Sequence, residues 1–119
     1  MEVRNYAEAE TFTTRDGSTI RELLGLPTSS LVRNQSLAEA TLTPGQATER
    51  HFHAESEEIY YLLEGGGTME LDGARRAVGP GDAILIPPGA WHTIEAGSEG
   101  ARFLCCCAPP YRHEDTFFS

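Results

Sequence analysis

The sequence predicts a single all-β domain, and three observations support that prediction. The apolar runs are short and rich in β-branched or aromatic residues, which are frequent in strands. Glycine, proline or an Asp-Gly pair interrupts these runs every several residues, a pattern typical of a β-sandwich or barrel. The length of 119 residues is enough for one hydrophobic core but too short for two domains.

The turns between the strands are marked by glycine and proline. Asp72-Gly73 supplies the positive backbone angles of a two-residue hairpin turn. Gly65-Gly66-Gly67 and Gly79-Pro80-Gly81 are also expected to be turns, and residues 20–24 suit either a helical turn or a strand. The predicted strands are residues 11–14, 31–34, 37–42, 50–53, 58–63, 68–71, 75–78, 83–86, 92–95 and 102–107.

The composition argues against several classes of function. Eighteen acidic residues and nine basic ones give a formal net charge of -9, which repels nucleic acid and anionic membrane surfaces. All nine basic residues are arginine, so no side chain offers an amine for a Schiff base. The sequence has neither an apolar run near the roughly 18 residues of a membrane span nor a signal peptide. Three consecutive cysteines, residues 105–107, make a poor disulfide framework, so a cytoplasmic setting is expected.

Four residues are candidate metal ligands. His51 and His53 are two positions apart, so in a strand both imidazoles project from one face while Phe52 faces away. Glu58 opens the next predicted strand, and His92 follows a tight Pro-Pro-Gly turn. Three imidazoles and one carboxylate suit a divalent transition metal, namely iron, manganese, nickel, copper, cobalt or zinc. Taken alone, a His-x-His pair also suits a solvated strand, and the acidic residues 55–58 also suit a solvated loop.

The spacing around these residues resembles the two motifs of the cupin superfamily. The first motif has a glycine, five residues, His-x-His, three or four residues, a glutamate, six residues and a glycine. The segment GQATERHFHAESEEIYYLLEG fits it from Gly45 to Gly65. The second motif has a glycine, five residues, Pro-x-Gly, two residues, a histidine, three residues and an asparagine. The segment GDAILIPPGAWHTIEA fits it from Gly81 to His92. Ala96 replaces the asparagine, which favours a changed turn over a lost metal.

The resemblance implies a double-stranded β-helix, a jelly-roll-like barrel that holds a metal inside and admits a small molecule at its mouth. It also implies that the ligands are His51, His53, Glu58 and His92. Glu57 fits the shorter spacing after the second histidine, but only Glu58 keeps the spacing to the following glycine. The expected single domain, residues 1–119, has an N-terminal arm at 1–30, a barrel at 31–108 and a tail at 109–119.

The resemblance further implies a metal-dependent enzyme. Four protein ligands leave one or two coordination positions for water, dioxygen or a substrate oxygen. One carboxylate against a divalent ion leaves about one net positive charge, which favours an anionic or enolisable, oxygen-rich molecule. The expected reaction is either a dioxygenation or isomerase or lyase chemistry by proton transfer. The alternative is a non-catalytic small-molecule binding or sensor protein, and a third reading is a barrel that no longer holds metal.

Several other residues are weaker candidates. Tyr60 should share a face with Glu58, where it is either a proton donor or, as we favour, a packed ring in the barrel. Trp91 is expected in the mouth or wall of the barrel. Arg33 and Arg102 lie in predicted strands and could bind a carboxylate if they face inward, although a surface position is favoured.

The last part of the chain raises three expectations. Within the cysteine triplet, Cys106 should face opposite to its two neighbours, and all three are expected to be small apolar residues and not ligands. His113, followed by two acidic residues, is expected in a solvated tail. Phe117 and Phe118 indicate that this tail docks on its own barrel or on a partner.

The resemblance to single-domain cupins implies a homodimer whose barrels are joined sheet to sheet. Residues 11–14 are expected to be the exchanged or edge strand.

Overall fold

The computed structural model describes residues 1–29 and 31–119, and that part of the chain consists of β-strands, loops and two single-turn 3-10 helices. The 3-10 helices are Tyr6–Glu8 and His113–Asp115. No helix in the described part of the chain is long and apolar enough to cross a membrane. The strands are β1 (Thr11–Thr13), β2 (Thr19–Leu24), β3 (Ser36–Leu42), β4 (His51–His53), β5 (Glu57–Leu71), β6 (Ala74–Val78), β7 (Ala83–Ile86), β8 (His92–Ala108) and β9 (Thr116–Phe118).

The strands form one curled antiparallel sheet, which confirms the predicted all-β, double-stranded β-helix. The order β1-β2-β3-β8-β4-β9 forms one path, and β5 pairs with β6, β7 and β8. The two longest strands, β5 and β8, pair along almost their whole length and connect the two halves of the sheet. The inward faces of the curled sheet bury a core whose fully enclosed apolar side chains include Leu62, Ile86, Ile94 and Phe103.

The glycine triplet is not a turn, which corrects one prediction. Gly65 and Gly67 lie inside β5, where the pairing with β8 shifts register. A Cβ atom on Gly65 would overlap the carbonyl oxygen of Gly100, and one on Gly67 would overlap that of Glu95. These glycines therefore let two strands approach closely at bulges. In a sequence, glycines used in this way cannot be told from glycines in a turn. Strand β8 is likewise continuous from His92 to Ala108, where two strands were expected at residues 92–95 and 102–107.

The strand predicted at residues 31–34 is wrong. This segment is a loop, and Leu31 is 68% exposed. The place beside β3 is taken by β2, whose Ile20 pairs with Ala40. Residues 20–24, for which the sequence left helix and strand open, therefore form a strand, because β3 offers them a hydrogen-bonding partner and a buried face.

The N-terminal hairpin covers one end of the sheet. Strand β1 is an edge strand and pairs with β2 of its own chain. The turn between them is held by Asp16, whose carboxylate accepts hydrogen bonds from the backbone N–H and the hydroxyl of Ser18. The predicted Asp72-Gly73 turn is confirmed, with φ angles of 47° and 88°.

Candidate metal centre

The fold brings the three motif histidines together in the interior of the barrel. On β4 the side chains of His51 and His53 are buried, while Phe52 between them faces the other side. His92 is the first residue of β8, pairs in register with His51, and has no exposed surface. One ring nitrogen from each of the three histidines lies within 4.8 Å of the others, which is close enough for a common metal ion.

Glu58 lies beside the same cluster. It is the second residue of β5, and alternation along the strand buries it while Glu57 is exposed. Its Oε1 atom is 3.2 Å from Nε2 of His53 and 3.6 Å from Nε2 of His92. Of the two glutamates that the motif allowed, only Glu58 therefore faces the histidines.

Backbone carbonyls fix the orientation of two imidazoles. Nδ1 of His51 donates to the carbonyl of Glu49 at 2.7 Å, and Nδ1 of His92 donates to that of Ala90 at 2.9 Å. Because a carbonyl only accepts, each ring carries its proton on Nδ1 and leaves Nε2 with a free electron pair. This arrangement of a ligand imidazole with a hydrogen-bond acceptor behind it is typical of metal sites.

Two buried atoms fit a metal ion better than they fit any protein partner. Glu58 Oε1 and His92 Nε2 are fully enclosed, and within residues 1–29 and 31–119 neither has an aligned hydrogen bond. A buried acceptor without a partner costs roughly 1–3 kcal/mol, so such atoms are rare unless something else binds them. A divalent cation would satisfy both, and the donor set of nitrogen and carboxylate oxygen fits a transition metal.

The electrostatics of the centre favour bound cations. Burial acts to raise the pKa of the Glu58 carboxyl, but the imidazoles of His53 and His92 outweigh it and hold that pKa below its usual range. Burial and the neighbouring His92 lower the pKa of His51. The pKa of His53 is lowered by burial but is raised on balance by its contact with Glu58. The carboxylate is therefore ionised, and either a protonated imidazole or a metal ion can balance its charge.

A cavity of about 50 Å³ adjoins this cluster. Its volume is several times the roughly 10–15 Å³ that one water molecule needs, so it admits a small ligand. The metal end is formed by His51, His53 and Glu58, and the turn after β1 covers that end with Asp16. An Oδ2 atom of Asp16 is 3.9 Å from Nε2 of His51.

The weaker candidates divide between the cavity and the surface. Tyr60 is buried in the cavity wall, with its ring 4.7 Å from that of Phe103. Trp91, expected in the mouth or wall, instead packs at the outside of β4, 4.7 Å from the ring of Phe52, and does not line the described cavity. Arg102 binds Glu39 on the outer face of the sheet, and Arg33 is exposed in a loop.

The cysteine triplet alternates as expected. Cys105 and Cys107 line the cavity, and Cys106 does not. All three thiols are free. Burial raises the pKa of the Cys107 thiol, so it stays protonated and can donate a hydrogen bond.

The C-terminal tail docks on its own barrel, as Phe117 and Phe118 indicated, and of the segment expected to be solvated only Asp115 is buried. Strand β9 pairs with β4, and the hydroxyl of Thr116 lies 3.1 Å from Nδ1 of His53. Asp115 is buried and accepts hydrogen bonds from the backbone N–H groups of Glu55 and Ser56. His113 itself is exposed. The tail therefore supports the strand that carries two of the histidines.

Sequence reasoning missed one buried acid in the cavity. Glu22 lies on β2 and faces inward with Ile20, two residues earlier. The signal was the alternation along residues 19–24, which becomes visible once this segment is taken as a strand. Asp16 was missed as well, because the sequence of a turn does not indicate which part of the folded chain the turn will contact.

Comparisons with known proteins agree with this fold. A family model described as Cupin domain matches residues 38–107. The uncharacterised protein MJ1618 of Methanocaldococcus jannaschii is 49% identical over 112 residues, which cover 93% of this chain and 89% of that protein. Similarity at this level extends over nearly the whole of both chains.

Two enzymes are also similar to this chain. Dimethylsulfoniopropionate lyase DddW of Ruegeria pomeroyi is 37% identical over 76 residues, which cover 64% of this chain and 49% of that protein. A solved structure of oxalate decarboxylase from Bacillus subtilis superposes with a TM-score of 0.81 at 25% identity, covering 98% of this chain and 32% of that one. The present chain therefore spans about half of the lyase and a third of the decarboxylase.

Proposed function

This chain belongs to the cupin family, and from that premise we propose that it is a metal-dependent enzyme acting on a small oxygenated molecule, anionic or enolisable. The proposed ligands are His51, His53, Glu58 and His92. The observation that carries the proposal is a pair of enclosed acceptors beside a cavity, Glu58 Oε1 and His92 Nε2, which have no aligned hydrogen bond to any described residue.

The charge of the centre supports an anionic or enolisable ligand. When bound, a divalent transition metal would act as a Lewis acid that polarises an oxygen atom of the ligand. With a single carboxylate among the proposed ligands, the metal and its ligands together carry about one positive charge, which the nearby carboxylate of Asp16 offsets only in part because it lies outside the ligand set. The identity of the metal follows from geometry and availability, and iron, manganese, nickel, copper, cobalt and zinc all accept these donors.

The groups that line the cavity support proton transfer in preference to oxygen chemistry. Burial raises the pKa of Tyr60 well above its ordinary value, so its hydroxyl is a neutral donor. The thiol of Cys105 is likewise held protonated by burial. Neutral donors of this kind can hydrogen-bond a carbonyl or enol oxygen as charge develops on it, which suits isomerase or lyase chemistry, in which no electrons are exchanged. Tyr60 is accordingly proposed as a donor as well as a packing residue.

Turnover under two atmospheres tests this proposal. Metal-loaded protein is incubated with small hydroxy acids, oxo acids and enols under air and under nitrogen, and chelator-treated protein serves as the control. Equal, metal-dependent product formation in both atmospheres is expected. Oxygen consumption coupled to product formation would instead support a dioxygenase. Tight, metal-dependent binding without turnover would support the sensor reading and contradict the enzyme.

A second copy of this chain is the proposed partner. An apolar row crosses four strands on the outer face, because Ile59 is in register with both Leu85 and Cys106, and Cys106 with Leu37. Ile59 is 40% exposed and Leu85 55% exposed. We expect this row to join two barrels sheet to sheet. Light scattering tests it, since Leu85→Glu should give a monomer, and a wild-type monomer mass independent of concentration would contradict it.

The protein is proposed to act in the cytoplasm. Its free thiols, Cys105, Cys106 and Cys107, are typical of a reducing compartment.

A further inference from the structure

Glu22 is a buried acid inside the cavity, away from the motif residues. It is 8% exposed, and alternation on β2 directs it to the same side as Ile20. It lines the cavity together with the thiols of Cys105 and Cys107 on β8. Gly25 leaves room for the carboxyl group, because a Cβ atom at that position would overlap Glu22 Oε1.

The carboxyl group of Glu22 lacks the partner that a buried acid normally has. Its Oε1 atom is fully enclosed and accepts no hydrogen bond from any residue that the structure describes. The adjacent Arg21 offers no help, because it points to the opposite face of β2 and its guanidinium group lies 4.3 Å from the centre of the Tyr6 ring. Carboxyl groups are seldom buried in this way unless a ligand or a cation supplies the missing contact.

Burial raises the pKa of Glu22 from its usual 4.5 to about 7. Both the acid and its anion are therefore available near neutral pH, and a partner of Glu22 must suit both. A second carboxylate would be repelled by the anion. The arginine among the described lining residues, Arg15, lies after β1 with its guanidinium group 4.6 Å from the centre of the Phe118 ring, at the end of the cavity that holds His51. A hydroxyl group suits both forms, since it can accept a hydrogen bond from the acid or donate one to the anion.

We propose that Glu22 is a specificity-determining residue that hydrogen-bonds a hydroxyl group of the ligand, while an acidic end of the same ligand occupies the centre formed by the histidines and Glu58. The inference rests on the proposed function, because it takes the metal centre as the site of the acidic end. The ligand class is thus narrowed to hydroxylated carboxylic acids with a hydroxyl beyond the chelating group.

The physical reason for selectivity is the cost of an unpaired group. A ligand that carries the hydroxyl satisfies the buried carboxyl, whereas an analogue without it leaves the carboxyl unpaired after water has been displaced. The preference should therefore depend on Glu22 itself. Replacement by glutamine keeps a hydrogen-bonding group of the same shape, and replacement by leucine removes it.

Matched acids bound to Co(II)-loaded protein test this inference at two chain lengths. Glycerate is compared with lactate, and 2,4-dihydroxybutyrate with 2-hydroxybutyrate, by titration of the visible Co(II) absorption at neutral pH. Wild-type protein should bind the more hydroxylated acid of at least one pair about tenfold more tightly. Glu22→Gln should keep the preference within about threefold of wild type, and Glu22→Leu should abolish it without weakening the other acid. Glu99→Gln removes one acidic side chain at an exposed position and is the control. Its affinities for the four ligands should equal those of wild-type protein.

Each outcome separates the two proposals. Equal binding within both pairs by wild-type protein, or a preference that persists in Glu22→Leu, overturns the role of Glu22. If Glu22→Leu does not fold by circular dichroism, Glu22→Ala takes its place. Co(II) bound without any response to all four acids contradicts the ligand class of the proposed function, and failure to bind Co(II) contradicts the metal centre.

Discussion

The thiol of Cys107 donates a hydrogen bond to Glu58, with Sγ 3.1 Å from Oε2. This contact holds one carboxylate oxygen against β8, and the other, Oε1, faces His53 and His92. Neither residue is exposed by more than a few per cent of its surface, so the bond is not exchanged with solvent. Cys107 therefore orients the carboxylate toward the proposed metal position, and its own Sγ atom is engaged in that bond.

Replacement of Cys107 should weaken metal binding. Cys107→Ala is expected to lower affinity for Co(II) by about tenfold, because the carboxylate loses the bond that orients it. Cys107→Ser keeps a donor and should stay within about threefold of wild type. Cys106→Ala on the opposite face is the control. Competition with a coloured chelator measures the affinities, and unchanged affinity in Cys107→Ala would show that the thiol only fills space.

Glu22 should make the protein less stable as pH rises. Its folded pKa of about 7 lies above its usual 4.5, so between these values the folded state binds more protons than the unfolded state. Stability from this group is thus lost as pH rises through that window, by at most about 3 kcal/mol. Glu22→Leu should therefore gain stability relative to wild type from about pH 5 to about pH 8. Urea denaturation of both proteins gives the difference, and a difference that does not vary with pH contradicts the burial of an unpaired acid.

The C-terminal strand should stabilise the centre. Phe117 stacks on Phe52 at 5.2 Å, and the ring of Phe118 is 5.7 Å from that of His51. Removal of the last three residues exposes β4 and should lower the free energy of unfolding by about 2–4 kcal/mol. Metal affinity should fall with it, because β4 carries two of the proposed ligands. Removal of Ser119 alone is the control, and a truncated protein as stable as that control would contradict the docking of the tail.

The glycines of β5 give a test of the fold. Gly67→Ala should cost about 3 kcal/mol or more, because the added methyl group would overlap the backbone oxygen of Glu95 and the strands cannot separate freely. Gly97→Ala is the matched control, since its nearest neighbour would be 3.6 Å away, an ordinary contact. Thermal unfolding measures both, and equal effects of the two changes would be inconsistent with the bulged pairing of β5 and β8.

The sequence predicted the structure best where a pattern of residues corresponds to a single structural arrangement. The cupin resemblance singled out His51, His53, Glu58 and His92 as proposed ligands, and strand alternation placed the first two on one face, where the structure also has them. The fold class followed from short apolar runs and turn glycines. In contrast, Gly65 and Gly67 were read as a turn, because a glycine that permits close approach of strands has the same local signature.

The remaining errors concern contacts between distant parts of the chain. Glu22 enters the cavity only because β2 pairs with β3, and nothing local marks that pairing. His113 is exposed as expected, yet Asp115, which belongs to the same polar segment, is buried against the loop after β4, and Thr116 contacts His53. Trp91 was expected in the mouth or wall of the barrel because it adjoins His92, but it packs at the outside of β4 against Phe52.

Elemental analysis of protein purified without chelators or a histidine tag tests the central claim most directly. The account predicts one transition-metal ion per chain, lost in a folded His92→Ala variant and retained in His113→Ala, which replaces an exposed histidine outside the centre. Less than a tenth of an ion per chain in wild-type protein after incubation with each candidate metal, or equal metal content in the two variants, would contradict it.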